Sequence, residues 1–207
     1  MAMPCLKLRA VPTSSGSANR DIKLIIVMEI ITENLLLREI TWDDLEDIHQ
    51  LHSIPEVDEF NTLGIPADMD ETREIMRPEL ETKEENAQSR YTWRITGKYS
   101  GDFIGLAGFI LSNDKFRLGE IYYKLLPAYW GQGYATELAK NLIIVGFDKF
   151  HLHKVEAGVA TGNMRSIRVL EKAGLVREGL RRKILPIRGE WKDGYLYAIV
   201  EDDKRAY

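Results

Sequence analysis

The amino-acid sequence predicts one α+β (mixed α/β) domain, and three observations carry that prediction. First, 207 residues at 44% apolar composition supply one full hydrophobic core and fall short of two. Second, residues 91–125 read as three short strands separated by turn signals. Third, helix-period and strand-period stretches alternate from residue 133 onward and end in two strands. An antiparallel meander followed by strand–helix alternation gives a mixed sheet with helices packed on it.

Each element has a local cause. Residues 1–27 are set apart by "VPTSSGSANRD", rich in Ser, Gly and Asn. They read as a flexible leader or an over-long start before a domain at residues 28–207, the alternative being an extra strand from "IKLIIV". Residues 35–40 form a short strand. Thr41 then caps a helix, with Asp44 three residues on and Trp42, Leu45, Ile48 and Leu51 sharing one face. Residues 56–85 read as an irregular helical region broken by Pro66 and Pro78. Tyr91, Trp93 and Ile95 alternate with Thr92, Arg94 and Thr96, the pattern of a half-buried strand. Residues 103–111 are apolar on both faces and so central, and residues 120–125 complete the meander. The helix over residues 133–150 carries Leu138, Leu142, Val145 and Phe147 on its stripe. A strand at 155–159 and a helix at 164–173 follow, with Gly174 as the stop. Strands at 176–184 and 191–200 close the chain through a hairpin turn near Arg188 and Gly189.

Totals narrow the function. A formal charge of -4 argues against a nucleic-acid backbone as the main partner. The one cysteine, Cys5, allows no intramolecular disulfide and suits a reducing cytoplasm. The apolar run Leu24 to Met28 is far short of the roughly 20 residues that span a bilayer, and no secretory signal is visible. His49 and His52 fall on or beside the polar side of the first helix, His151 and His153 straddle a helix end, and no spacing points to a metal. The Trp42, Trp93 and Trp191 rings read as core.

Chemistry begins at "YWGQGYATELAKNLI", residues 129–143, which places two glycines in three positions at the mouth of a helix. A helix N-terminus leaves amides without partners and carries partial positive charge. Glycines there either make a plain turn or let an anion approach bare backbone. The loop follows the strand "EIYYKLLP", so its amides lie at the carboxyl edge of a sheet. It matches neither the dinucleotide pattern G-x-G-x-x-G nor a phosphate loop ending in G-K-[ST].

"LLPAYWGQGYATEL" followed by "TGNMRSIRVLEKAGL" resembles the GNAT superfamily of N-acetyltransferases, and most closely its RimJ/RimL-type branch of ribosomal-protein N-terminal acetyltransferases. The likeness runs from about Met28 to the C-terminus and includes "ENLLLREIT" and "RGEWKDGYLYAI". It implies the GNAT fold: a central mixed, mostly antiparallel sheet with a splayed pair of strands and flanking helices. It implies acetyl-CoA as cosubstrate and no metal. The pyrophosphate would be gripped by the amides of Gly131, Gln132, Gly133, Tyr134, Ala135 and Thr136. Trp130 stands where the family pattern has Arg or Gln. A bulge in the preceding strand would free backbone groups around Leu125 and Leu126 to pair with pantetheine, and an amide near Leu125 would hold the oxyanion. Asn163 matches the position that contacts the coenzyme arm and also reads as a helix N-cap.

For the chemistry itself, the resemblance makes Glu120 either the general base or an exposed strand-end carboxylate. The family's tyrosine acid falls at Leu170 and is absent. Ser166 either donates a hydrogen bond near the sulfur or sits in a first helical turn, while Tyr122, Tyr123 and Tyr195 are substitutes for the acid or packing residues. Freeing a lysine amine at pH 7 costs roughly 4–5 kcal/mol against about 1 for an α-amine. The implied activity is acetyl transfer to a primary amine, a protein or peptide N-terminal α-amine, by direct attack in a ternary complex. The alternatives are a small-molecule acetyltransferase for polyamines or aminoglycoside-like compounds, and a non-catalytic acetyl-CoA sensor. Residues 56–85 hold eleven acids against three bases, either a wall that attracts a cationic acceptor or a solvated face. Residues 177–192 hold six bases against two acids, either a contact for an acidic partner or an exposed hairpin. The expected partners are the amine acceptor and a second copy of the chain, with no membrane and no direct nucleic acid.

Overall fold

Strand-period segments along the whole chain pair into one sheet. The computed structural model describes residues 5–12, 24–81, 89–112, 115–205 and 207. Its strands are β1 (Cys5–Pro12), β2 (Leu24–Ile31), β3 (Leu35–Glu39), β4 (Arg90–Gly97), β5 (Phe103–Leu111), β6 (Leu118–Leu125), β7 (Lys154–Ala160), β8 (Val176–Ile187) and β9 (Glu190–Val200). They lie in the order β1-β2-β3-β4-β5-β6-β7-β9-β8. Every neighbouring pair is antiparallel except β6 and β7. The helices are α1 (Leu45–His52), α2 (Pro55–Asp58), α3 (Met69–Glu81), α4 (Tyr134–Asp148) and α5 (Met164–Lys172).

The parallel junction decides where a ligand can enter. β6 meets β7 only from Leu118 to Glu120 against Lys154 to Glu156. Beyond that, β6 keeps β5 as its partner to Leu125 and β7 keeps β9 to Ala160. The two strands therefore fork toward their carboxyl ends. At the crotch the Gly158 amide donates to Glu120 Oε1 at 3.3 Å, so a side chain takes the next rung of the ladder. The expected bulge is not in β6, whose register against β5 is continuous; the shift lies between Ile95 and Thr96 in the β4–β5 ladder. The fork comes from a ladder that stops, not from an inserted residue.

Alternation assigns the two faces of the sheet. Trp93, Ile95, Phe109, Ile121 and Leu125 join Leu138 and Leu142 of α4 and Ile167 and Leu170 of α5 in the larger core. On the other face Leu106 packs with Leu45, Ile48 and Leu51 of α1 and with Met76 and Leu80 of α3. Burying a Leu or Phe stabilises by about 1.5–3 kcal/mol, so these two clusters clamp the meander between helices. The Glu137 carboxylate in the first turn of α4 accepts from the Asn34 amide at 2.8 Å and ties the β2–β3 turn to the helix start.

Several local expectations change. The Thr41 amide donates to Asp44 Oδ2 at 2.9 Å, yet the turn it starts, Trp42–Asp44, is 3-10, and Trp42 is 37% exposed beneath Arg73. Asp44 is drawn toward Arg38 (2.6 Å) and Arg94 (3.1 Å), and the α-helix opens one turn later. Pro78 does not break α3; it is exposed inside it, where the Glu74 carbonyl it leaves unbonded is open to water. Trp191 is 59% exposed, so of the three tryptophans expected in the core only Trp93 is there. Within the segment set apart as a leader, Cys5–Pro12 pairs along its length with Leu24–Ile31; the Ser- and Gly-rich stretch lies outside the described residues. The β8–β9 turn places Arg188 at φ 49 and Gly189 at φ 76, the left-handed pair a two-residue hairpin requires. No helix among the described residues is long and apolar enough to cross a membrane.

Candidate active site

The glycine loop and the fork border one cleft of about 770 Å³, lined by residues of α2 and the segment after it as well as by residues of α4 and α5. Gly131 and Gly133 have φ of 76 and 89, a region costly for residues with a Cβ. An added Cβ at either would meet nothing within 4 Å, so backbone conformation and not crowding selects glycine. Of the six amides from Gly131 to Thr136, that of Thr136 donates to the Gly133 carbonyl at 3.0 Å. The amides of Gly131, Gln132, Gly133, Tyr134 and Ala135 have no acceptor among the described residues, and the 15-residue helix α4 stands behind them. Gln132 Nε2 donates to the Ala128 carbonyl at 2.7 Å, so its side chain is turned into the loop and only its amide is offered.

Trp130 is a strut where the family pattern has Arg or Gln. Its Nε1 donates to the Leu125 carbonyl at 2.8 Å, and the Arg165 guanidinium lies 4.8 Å over its ring. Arg165, Arg168 and Lys172 line the same end of the cleft. Sequence reasoning passed over these three, although their spacing of three and four puts them on one face of α5.

The fork corrects one expected contact. The Leu126 amide donates to the Ile104 carbonyl at 2.9 Å and its carbonyl accepts from the Tyr129 amide at 3.0 Å, so Leu126 offers no free backbone. Alternation in the β5–β6 ladder turns the main-chain groups of Leu125 and Tyr123 the opposite way, toward β7. With the Leu125 carbonyl engaged by Trp130, its amide is the donor left facing the gap.

On the α4–α5 face, Asn163 caps α5 by accepting from the Ser166 amide at 3.1 Å, and both residues line the cleft. Ser166 Oγ and the Tyr123 hydroxyl are 2.9 Å apart. Burial pushes the Tyr123 phenol up to about 12, so it stays protonated at neutral pH and can donate. Tyr123 therefore belongs to the cleft, whereas Leu170 is core. Glu120 does not line the cleft: its carboxylate sits at the crotch of the fork, five positions before Leu125, a strand distance of about 16 Å.

The opposite face holds Lys124 and His52. Lys124 lines the cleft, and its Nζ is 3.5 Å from His52 Nε2. Burial foremost, aided by the charge of Arg90, pushes Lys124 down to about 8 against the pull of Asp58 and Glu79. His52 is buried rather than on the polar side of α1, and burial with the Lys124 and His49 charges lowers it to about 3. The signal was present: His52 follows Ile48 by four and so shares the apolar stripe. Its Nδ1 has no partner among the described residues. Of the acids in residues 56–85, Glu56 and Glu59 line the cleft. Glu74 and Glu81 pair with Arg77, Glu79 with Arg90, and Asp58 with Arg188 at 3.4 Å from the β8–β9 turn; Glu84 and Glu85 lie outside the described residues. The cleft is thus cationic at the α5 end and anionic at the α2 end. Among the described residues no group of three or more His, Cys, Asp or Glu is placed to hold a metal ion.

Comparison with known proteins agrees with this architecture. Residues 34–176 match the family described as acetyltransferase (GNAT) domain. The chain is 30% identical over 170 residues to the uncharacterized N-acetyltransferase YoaA of Bacillus subtilis, covering 82% of this chain and 95% of that one. A crystal structure of a GNAT-family acetyltransferase from Bacillus anthracis superposes with a TM-score of 0.74 at 29% identity, covering 85% of this chain and all of that one. The spermidine N-acetyltransferase of Vibrio cholerae, solved with CoA and spermine, shares the fold with a TM-score of 0.71 at 23% identity over 81% of this chain and 95% of that one. The chain belongs to the GNAT family of acetyltransferases.

Proposed function

We propose that this enzyme moves an acetyl group from acetyl-CoA to the α-amine at a protein or peptide N-terminus, by direct attack in a ternary complex. The observation that carries the reading is the polarised cleft. One end offers five free amides, a helix N-terminus and three cationic side chains; the other offers Glu56 and Glu59. An anionic carrier and a cationic acceptor would enter from opposite ends and meet at the fork.

The residues present fit the carrier. Its volume falls in the range of small-ligand clefts, about 300–1,000 Å³. Gly131, Gln132, Gly133, Tyr134 and Ala135 would bind the pyrophosphate through their amides, and Thr136 would line the loop with its side chain. Arg165, Arg168 and Lys172 would neutralise the remaining phosphate charge. The Leu125 amide would face the thioester oxygen, and the Asn163 side chain the coenzyme arm. When bound, the carrier supplies an activated acetyl thioester. The Tyr123 hydroxyl, polarised by Ser166, would donate toward the departing sulfur. Glu120 would act on the amine only through intervening water. The carboxylates of Glu56 and Glu59 would draw in an ammonium group, and an α-amine gives up its proton near neutral pH. A cytoplasmic setting belongs to the same reading, as does pairing of two copies along β8, whose Val176, Leu180 and Ile184 are exposed.

Polyamine acetylation is the second reading, favoured by the same carboxylates and by the likeness to the spermidine enzyme. One experiment separates them. Thiol release from acetyl-CoA is followed with N-terminal peptides, spermidine and an aminoglycoside, alongside calorimetry of coenzyme A. Peptide turnover with micromolar coenzyme binding is expected, and Gly133→Val should weaken that binding at least tenfold. Spermidine as the preferred acceptor overturns the α-amine assignment; unaltered coenzyme affinity in Gly133→Val overturns the cradle.

A further inference from the structure

We infer that Lys124 is the group that takes the proton from the attacking amine, and that His52 positions it. The inference rests on the amine-acetylation reading above and adds the identity of the base.

Geometry leads to it. Tyr123 and Leu125 direct their side chains to the α4–α5 face, so Lys124 between them projects to the α1–α2 face. That is the side on which Glu56 and Glu59 border the cleft, hence the side from which an ammonium group would approach. Lys124 is one residue from the amide that faces the thioester position. Among the described residues no other titratable group lining the cleft is so placed. Arg165, Arg168 and Lys172 stand at the phosphate end, Tyr123 holds its proton, and Glu56 and Glu59 are exposed on and beside α2.

The surroundings are those of a working amine and not of a structural ion pair. Lys124 is half-buried and has no carboxylate within salt-bridge distance among the described residues; the nearby Asp58 pairs instead with Arg188. The groups that face it are His52 from α1, with His49 behind that ring, and the charges of Asp58 from α2, Glu79 from α3 and Arg90 from β4. Among the described residues the one hydrogen-bond partner of its Nζ is the Nε2 of His52, a neutral ring that can accept but brings no charge. A lysine so held is partly neutral near pH 8, as a base for this chemistry must be.

The step balances as follows. Neutral Lys124 takes a proton from the acceptor ammonium and becomes an ammonium itself. The freed amine nitrogen bonds to the thioester carbonyl carbon, the carbon–sulfur bond breaks, and the second amine proton ends on the departing sulfur. The sulfur leaves with the electron pair and is protonated to the thiol. Lys124 returns its proton to solvent, so the net products are amide, thiol and one proton.

The test compares wild type with Lys124→Met and Lys124→Arg. Both variants should keep the dissociation constant for coenzyme A within twofold and lose at least thirtyfold in kcat. A tertiary amine, trimethylamine, which accepts protons but cannot be acetylated, should restore part of the Lys124→Met rate in proportion to its free-base concentration. In wild type, the 13Cε resonance of Lys124 should titrate near pH 8 together with the rise in kcat; His52→Phe should move that midpoint while coenzyme affinity stays unchanged. Lys124→Arg with wild-type kcat, a resonance titrating near 10.5, or a 42-dalton gain on Lys124 during turnover would each overturn the inference. Failure of wild type to release thiol with any amine would instead overturn the parent reading.

Discussion

Replacing Lys124 by Met should stabilise the protein while removing its activity. The unfolded chain binds a proton at Lys124 below its ordinary value of 10.5, and the folded chain only below about 8. In that window the unfolded state holds more protons, so stability rises with pH from 8 to 10.5 and the penalty is full at pH 7. At 1.36 kcal/mol per unit the penalty is about 3 kcal/mol. Met has nearly the same length, binds no proton and gains apolar burial. Against this, His52 Nε2 loses its partner at 3.5 Å, which costs about 1–2 kcal/mol. The net gain is about 1–2 kcal/mol, or roughly 2–8 °C in Tm for a chain of this size. Differential scanning calorimetry at pH 7 and at pH 10.5 provides the measurement. The gain present at pH 7 should fall by about 3 kcal/mol and turn into a loss of about 1–2 kcal/mol at the higher pH, where the proton-linked penalty is gone and only the lost His52 contact remains. A lower Tm at pH 7, or a difference that does not vary with pH, would falsify the claim that burial holds this lysine below its ordinary range.

Two further outcomes follow from other parts of the cleft. Trp130→Phe keeps a ring beneath Arg165 but deletes the 2.8 Å bond to the Leu125 carbonyl; about 1 kcal/mol of loop anchoring is lost, and coenzyme A should bind roughly fivefold more weakly in calorimetry, with no change disproving the strut. His52 is a base whose folded value of about 3 lies below its ordinary 6.5, so the unfolded state alone takes a proton between those values and stability falls as pH drops through that window. Between pH 7 and 5 the urea-derived stability of wild type should fall by about 2 kcal/mol, and His52→Gln, which does not titrate, should flatten the fall; equal slopes would sink the assignment.

What the sequence by itself determined is local. Alternation in Tyr91 to Thr96, the continuous apolar run of β5 and the 3.6-period stripe of α4 each named an element, because side-chain periodicity and burial are coupled at short range. The paired glycines announced the loop, since a left-handed backbone at Gly131 and Gly133 is a property of those positions alone. The order of the loop motif and the Asn163 motif identified the family before any contact was seen.

The tertiary structure decided everything that depends on which neighbour a group meets. Nothing near Leu126 in sequence says that Ile104 and Tyr129 will claim its backbone, or that Glu120 will close a ladder against Gly158 instead of facing the cleft. Trp42 and Trp191 are apolar rings that packing left at the surface. Lys124 reads as an ordinary strand lysine until α1 sets His52 beside it and β6 parts from β7 to open the space it faces. Burial and pairing across 72 residues of chain set the charge state of that amine, and desolvation is a property of the assembled interior that no linear spacing encodes.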